Sequence, residues 1–287
     1  MAPATLGFIG LGVMGAPMCR NLAAKSGARV LAFDVKDVRG FSKADSIRGT
    51  AQADIIFLSL PGEPEVRGVC AELLRHARPG QAIVDCSTAP VALARELAAA
   101  FAARGAQFAD APVARTRQAA IEGTLSITVG ADAALFRRIE PLLRCMASDV
   151  THCGAPGAGQ AVKLLNNMVL STTVMALAEA LAVAKASGVV DAKLLFEALA
   201  KGSADSFALR NHGMKALLPE SHPERAFPVT YMLKDLGYAL ELARGAGLEL
   251  QGAGTVHRLL EETAALGLGE AYHTALIEAV RRHRTSG

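Results

Sequence analysis

The sequence predicts an α/β protein in two parts, with a doubly wound parallel sheet over residues 1–155 and an all-helical region over 156–287. Three observations carry this. Short apolar runs alternate with helical patterns from Leu6 to about Gly154, a glycine-rich turn follows the first run, and strand signals stop at Gly154-Ala155-Pro156-Gly157. At 287 residues the chain is long enough for two domains that each bury a core.

Composition narrows the class. The chain is 51% hydrophobic and 20% charged with no Trp, which suits a helix-rich globular protein and excludes a disordered one. Thirty basic against 27 acidic residues leave a net charge of +3, too little for nucleic-acid binding and no barrier to an anionic substrate. Five scattered Cys without a CxxC pair suggest neither a disulfide framework nor a zinc site. The N-terminus shows no secretory pattern, so a reducing cytoplasmic setting is expected.

Buried strands are expected at 6–9, 30–33, 55–60, 82–85, 107–110 and 125–129. The segment between Asp34 and Ile55 is too short for a full helix, strand and helix, so the sheet should be trimmed there. A single helix is expected from Ala158 to about Ser187, joining the two parts. It is apolar enough to raise a membrane span, but Asn166, Asn167 and Glu179 within it favour a core helix and no membrane. Gly188 ends it, Asp191 is placed to cap the next helix, and further helical patterns run at 192–201, 205–218, 228–246, 253–266 and 270–283.

Gly10-Leu11-Gly12-Val13-Met14-Gly15 is a GxGxxG after a predicted strand and at the start of a helix, the context of a Rossmann dinucleotide site. Gly10 permits the turn, Gly12 lets a pyrophosphate approach the backbone, and Gly15 allows close packing of helix on strand. The competing reading is a glycine turn without a ligand. Asp34, at the end of the second strand, is placed to accept from ribose hydroxyls and to repel a 2′-phosphate, favouring NAD over NADP. It could equally be a cap or a loop carboxylate, and Lys36 and Arg39 nearby tolerate a phosphate. Leu60 and Pro61, and Ser87 and Thr88, fall at the carboxyl ends of later strands, where open α/β sheets bind ligands. Ser87 or Thr88 could instead serve only as a helix cap. Lys163 and Asn167 are i and i+4 on the long helix, with Asn166 on the adjoining edge. Apolar neighbours at Val162, Leu164 and Leu165 would half-bury the amine and favour its neutral form for proton transfer. An ion-paired interface lysine is the structural alternative.

In this order the motifs resemble the β-hydroxyacid dehydrogenases. The matching strings are GFIGLGVMGAPM from Gly7, DAPV from Asp110, GTLSITVG from Gly123, the GxGxxxKxxNN helix from Gly157, and Lys234-Asp235-Leu236. The resemblance implies that Lys163 is the general acid/base, that Asn166 and Asn167 orient the substrate, that Ser87 and Thr88 touch the cofactor end of the site, and that Lys234 lies near the nicotinamide. It also implies a small anionic hydroxy acid or semialdehyde as substrate and a homodimer or homotetramer. Phe227 resembles an aromatic residue common in that segment.

One departure stands out. The family usually continues DAPV with Ser-Gly-Gly, whereas this chain has Ala114-Arg115-Thr116. The Arg-Thr pair resembles sulfolactaldehyde reductase, and a guanidinium fork with a hydroxyl suits a sulfonate or second carboxylate. The plain alternative is that Arg115 bridges a neighbour at the surface. Two further readings compete: an imine reductase of the same architecture, against which Lys163 and Asp34 argue, and a non-catalytic NAD-binding sensor.

Overall fold

In the computed structural model, which describes residues 5–224 and 226–283, the chain divides into two compact units, residues 1–163 and 164–287. The first unit runs β1 (Leu6–Ile9), α1 (Gly15–Lys25), β2 (Val30–Phe33), α2 (Ile47–Thr50), β3 (Ile55–Leu58), α3 (Glu63–His76), β4 (Ala82–Asp85), α4 (Val91–Ala102) and β5 (Gln107–Asp110). It continues with β6 (Val113–Ala114), α5 (Arg117–Glu122), β7 (Leu125–Gly130), α6 (Ala133–Leu143), β8 (Ala147–Gly154) and the start of α7 (Ala158–Ser187).

The eight-stranded sheet has the order β2-β1-β3-β4-β5-β7-β6, with β8 paired to β7. Strands β1 to β5 are parallel and in register, Leu6 lying opposite both Val30 and Ile55. Every residue of β1, β3 and β4 is buried, which is why those strands are apolar runs, broken only by Asp85 at the end of β4. Helices cover both faces, one core gathering around Phe8, Met18, Leu22 and Ile127 and the other around Ile56, Leu73, Ile83 and Phe101. The trimmed segment after β2 keeps only the one-turn α2, as its length required.

Two strands were not legible. β6 is two residues long, and β8 exposes much of its length because it borders the sheet through β7 alone, so its polar sequence carries no buried stripe.

The second unit continues α7 and adds α8 (Ala192–Leu199), a π-helical stretch Leu209–Leu217, α9 (Val229–Gly245), α10 (Gln251–Thr263) and α11 (Ile277–Val280). Asp191 caps α8 by accepting from the Leu194 N–H at 3.0 Å, and Gly188 takes φ +64° where α7 stops. The expected helix over 270–283 is instead a 3₁₀ turn, His273–Leu276, followed by the four-residue α11. Pro228 bridges to Tyr272 and the His273 N–H donates to the Phe227 carbonyl, so the backbone before that turn is held in an extended pairing a helix could not make. By length and composition α7 could cross a membrane, yet within this unit Leu164, Val174, Ala178 and Leu181 are buried, as in a bundle helix.

Candidate active site

The first unit brings the glycine turn, Asp34, Leu60, Pro61, Ser87 and Thr88 to the carboxyl edge of parallel strands that are neighbours in the sheet. Gly10 has φ +96°, and a Cβ there would collide with the Ser59 carbonyl; one on Gly15 would collide with the Gly10 carbonyl. Around Gly12, by contrast, a Cβ would meet no atom within 4 Å, so the space over the turn is open to a ligand. The first turn of α1 carries no side-chain cap, leaving the helix N-terminus with its dipole as an anion cradle. These residues fit a dinucleotide pyrophosphate.

Asp34 binds the turn itself. One carboxylate oxygen accepts from the Leu11 N–H at 2.6 Å and the other from the Lys36 N–H at 2.7 Å. A depression of about 300 Å³ opens beside it, lined by Leu11, Asp34, Val35, Lys36, Lys43 and Asp45. Lys43 is ion-paired with Asp37. Further along the edge, the Leu60 N–H donates to Ser87 Oγ at 2.9 Å, tying the loop after β3 to the loop after β4. The Ser87 N–H in turn donates to the Asp85 carboxylate at 3.0 Å. Ser87 is thus a loop tie, and the N-cap of α4 is Pro90.

The start of α7 is fixed by residues whose role the sequence did not disclose. Asp110 is fully buried and accepts from the Gly157 N–H at 2.6 Å and the Gln160 N–H at 2.7 Å, capping the helix from a different strand. Burial raises the Asp110 carboxyl above its ordinary range, and the backbone N–H groups of Gly157 and Gln160 oppose that shift. A Cβ on Gly159 would lie 2.5 Å from the Thr128 carbonyl, so the helix can seat here only with glycine. The buried Gln160 side chain donates to the Ser87 carbonyl at 2.7 Å and accepts from the Ala89 N–H at 3.2 Å. The cap and the Ser87–Ala89 loop therefore share one network. The signal for Asp110 was present in the DAPV string, but nothing in it shows which N–H groups the carboxylate serves.

Half-buried Lys163 is the last residue of this unit, six residues into α7. In the second unit, Asn166 Nδ2 donates to Asn167 Oδ1 at 3.2 Å and Asn167 Nδ2 donates to Asp235 Oδ2 at 2.7 Å. Asn167 and Asp235 are 3% and 2% exposed, so both carboxamides are oriented by a buried acid. Lys234 Nζ is 3.3 Å from Asp235 Oδ1 and stands 5.5 and 5.6 Å from the Tyr231 and Tyr238 rings, within cation–π range. Asp235 is a second residue whose role went unread. A larger depression, about 550 Å³, lies elsewhere on this unit beside Arg244, Leu248, Gln251 and Arg258, and none of the residues singled out by sequence lines it.

The rebuilt turn does not offer a free fork. The Arg115 guanidinium donates to the Thr124 carbonyl at 2.6 Å, to Ser148 Oγ at 2.7 Å and to Asp149 Oδ2 at 2.6 Å. Thr116 Oγ1 accepts from the Ala119 N–H at 3.3 Å as the cap of α5. In this structure both polar groups bind the protein itself, the arrangement that the surface alternative for Arg115 describes.

Comparison with known proteins agrees with this architecture. Residues 5–154 match the family model described as the NAD binding domain of 6-phosphogluconate dehydrogenase. Residues 157–280 match the one described as NAD-binding of NADP-dependent 3-hydroxyisobutyrate dehydrogenase. The 2-(hydroxymethyl)glutarate dehydrogenase of Eubacterium barkeri is 34% identical over 284 residues, 95% of this chain and 93% of that protein. The 2-hydroxy-3-oxopropionate reductase of Escherichia coli is 33% identical over 96% of both chains. The structure of Mycobacterium tuberculosis 3-hydroxyisobutyrate dehydrogenase with L-serine superposes with a TM-score of 0.89 at 32% identity, covering 97% of this chain and 99% of that one. With NAD(P)-binding models matching nearly end to end and relatives named as enzymes acting on hydroxyl groups, this chain belongs to the β-hydroxyacid dehydrogenase family.

Proposed function

We propose that this chain is an NAD-dependent dehydrogenase of a small β-hydroxy acid carrying one carboxylate, with Lys163 as the general acid/base. The observation that carries the reading is the polar run on α7. Lys163 stands one turn before Asn167, whose carboxamide is held in one orientation by Asp235 and Asn166. In oxidation the neutral Lys163 amine takes the substrate's hydroxyl proton as hydride leaves the carbon; in reduction the ammonium returns it to the forming alkoxide. NAD, when bound, accepts or supplies the hydride. The roles assigned to the other residues follow the resemblance: Asn166 and Asn167 act on the reacting oxygen, the Ala114–Thr116 turn on the carboxylate, and Lys234 on the nicotinamide end of the cofactor. Asp34 selects NAD because its carboxylate repels a 2′-phosphate. Ser87 and Thr88, with Leu60 and Pro61, form the cofactor side of the edge.

The single-carboxylate class follows the relatives named for L-serine and 2-hydroxy-3-oxopropionate, whereas the relative named for 2-(hydroxymethyl)glutarate points to a dicarboxylate, which the turnover test therefore includes. Engagement of Arg115 with Asp149 favours a plain hydroxy acid over a sulfonate. A homodimer or homotetramer is proposed because, on α7 of the second unit, Leu165, Val169 and Val183 remain 42%, 60% and 66% exposed.

The test is NAD- and NADP-linked turnover of 3-hydroxyisobutyrate, L-serine, glycerate, tartronate semialdehyde, 2-(hydroxymethyl)glutarate and sulfolactaldehyde, with Lys163→Ala alongside. The variant should bind NADH normally and lose at least about a hundredfold in kcat. Near-normal turnover by Lys163→Ala would reject the lysine assignment, and a sulfonate or dicarboxylate as best substrate would reject the single-carboxylate reading.

A further inference from the structure

Arg115 occupies a backbone conformation for which a side chain is unsuited. Its φ is +83°, and only Glu220 shares a positive φ among the described non-glycine residues. In this region Cβ crowds the backbone, and such strain persists only where the surroundings over-determine it. The surroundings here are the three bonds of one guanidinium. Thr124 immediately precedes β7, while Ser148 and Asp149 lie on β8, so a single side chain ties the turn to two neighbouring strands. Ser148 Oγ also donates to Asp149 Oδ2 at 2.8 Å, and Ser148 and Arg115 together hold the Asp149 carboxyl below its ordinary range.

The flanks are fixed by other means. Val113 and Ala114 pair with Ile127 and Ser126 of β7, and Thr116 caps α5. The Thr116 hydroxyl acts locally, three residues on, whereas the side chain of the middle residue reaches away along the sheet to β8. The Arg115–Asp149 pair is 43% and 57% exposed, so it adds little to global stability; its effect is on local geometry.

We propose that Arg115, anchored by Asp149 and Ser148 on β8, is a positioning residue that holds the Ala114–Thr116 turn in the shape that receives the substrate's carboxylate. The inference rests on the reading above that this turn meets the acid group. Glycine at this position would adopt the turn without strain and without a tether. Arginine is held there only by its anchor, which makes Asp149, remote in sequence, a determinant of substrate affinity.

The experiment compares Asp149→Ala, Arg115→Ala and Arg115→Gly by steady-state kinetics at saturating NAD, with 3-hydroxyisobutyrate and L-serine as probes, and by hydrogen–deuterium exchange of residues 111–124. Asp149→Ala and Arg115→Ala should each raise KM about tenfold with kcat within about twofold, and should accelerate exchange in the turn. Arg115→Gly should recover most of the KM that Arg115→Ala loses, because glycine removes the strain. If Arg115 instead grips the substrate, glycine and alanine will be equally damaging and Asp149→Ala, by freeing the guanidinium, will lower KM; that pattern overturns the proposal. Unchanged KM and exchange in Asp149→Ala overturn it as well. Failure of the dehydrogenase reading would show separately, as absence of wild-type turnover with every acid while exchange in the variants still responds.

Discussion

The two units hold their candidate site residues by different means. In the first, apart from Arg115 with its bonds to Ser148 and Asp149, polar side chains meet main chain: Asp34 takes the Leu11 N–H, Asp110 the Gly157 and Gln160 N–H groups, and Gln160 the Ser87 carbonyl. In the second, side chain meets side chain, through Asn166, Asn167, Asp235 and Lys234 and through His212 and Tyr272. A site built from backbone tolerates most substitutions except at glycines and caps. A side-chain network fails wherever one partner is lost, because the remaining group is left buried without its bond.

The glycine turn gives the largest test of that contrast. Gly15→Ala forces a Cβ onto the Gly10 carbonyl and should weaken NADH binding more than about a hundredfold, roughly 2.7 kcal/mol, while lowering Tm. Gly12→Ala meets nothing in the protein, so Tm should stay near wild type while NADH affinity falls where the phosphates need to approach. Fluorescence titration with NADH and a thermal melt separate the two. Equal Tm loss in both variants would mean that the space over Gly12 is not kept for a ligand.

The next effect is the loss of a cap. Asp110→Ala leaves two buried N–H groups at the start of α7 and should cost about 2 kcal/mol of stability, read as a shift in the denaturation midpoint. Asp110→Asn should recover part of this, since an amide oxygen can accept one of the two bonds. In the second unit Asp235→Ala strips Asn167 and Lys234 of a shared partner; kcat should fall about tenfold, with a loss of stability of about 1 kcal/mol. If Asp235→Ala costs stability but leaves kcat intact, the Asn167 carboxamide is a core group and takes no part in orienting the substrate.

The same contrast explains what the sequence disclosed. The glycine turn, the strands 6–9, 30–33 and 82–85 and the helix Ala158–Ser187 are local patterns, each set by backbone periodicity or by glycine, and each appears where it was expected. Contacts between residues distant in sequence were hidden. Asp110 reaches a helix 47 residues on, Asn167 reaches an acid 68 residues on, and Arg115 reaches a strand 34 residues on. Nothing in the string Ala114-Arg115-Thr116 shows whether a guanidinium points to a ligand or to Asp149, because both are anionic partners. The π-helical stretches at Leu209–Leu217 and Ala264–Leu268 were also missed, since their apolar spacing reads as α, and Gly267 at φ +82° breaks the second.

The smallest expected effect separates the units by their response to acid. His273 is 1% exposed with neither ring nitrogen bonded among the described residues, and burial, with His212 and His222 nearby, lowers it to about 3. Its ring lies 4.9 Å from that of His212, which burial and Lys215 lower to about 4. His222 is lowered by burial and by Arg281, against the opposing pull of Glu278. These groups bind fewer protons folded than unfolded, so their contribution is complete above the ordinary histidine value of 6.5 and declines as pH falls toward 3. In the first unit Asp110 is raised by burial and has the opposite sign: folded protein binds its proton more readily, so acidification does not draw stability from that carboxyl. Urea midpoints measured from pH 8 to pH 5 should therefore decline for probes in the second unit, and His273→Asn should flatten the decline. A decline of equal slope in the first unit, or one untouched by His273→Asn, would place the acid sensitivity outside the buried histidines.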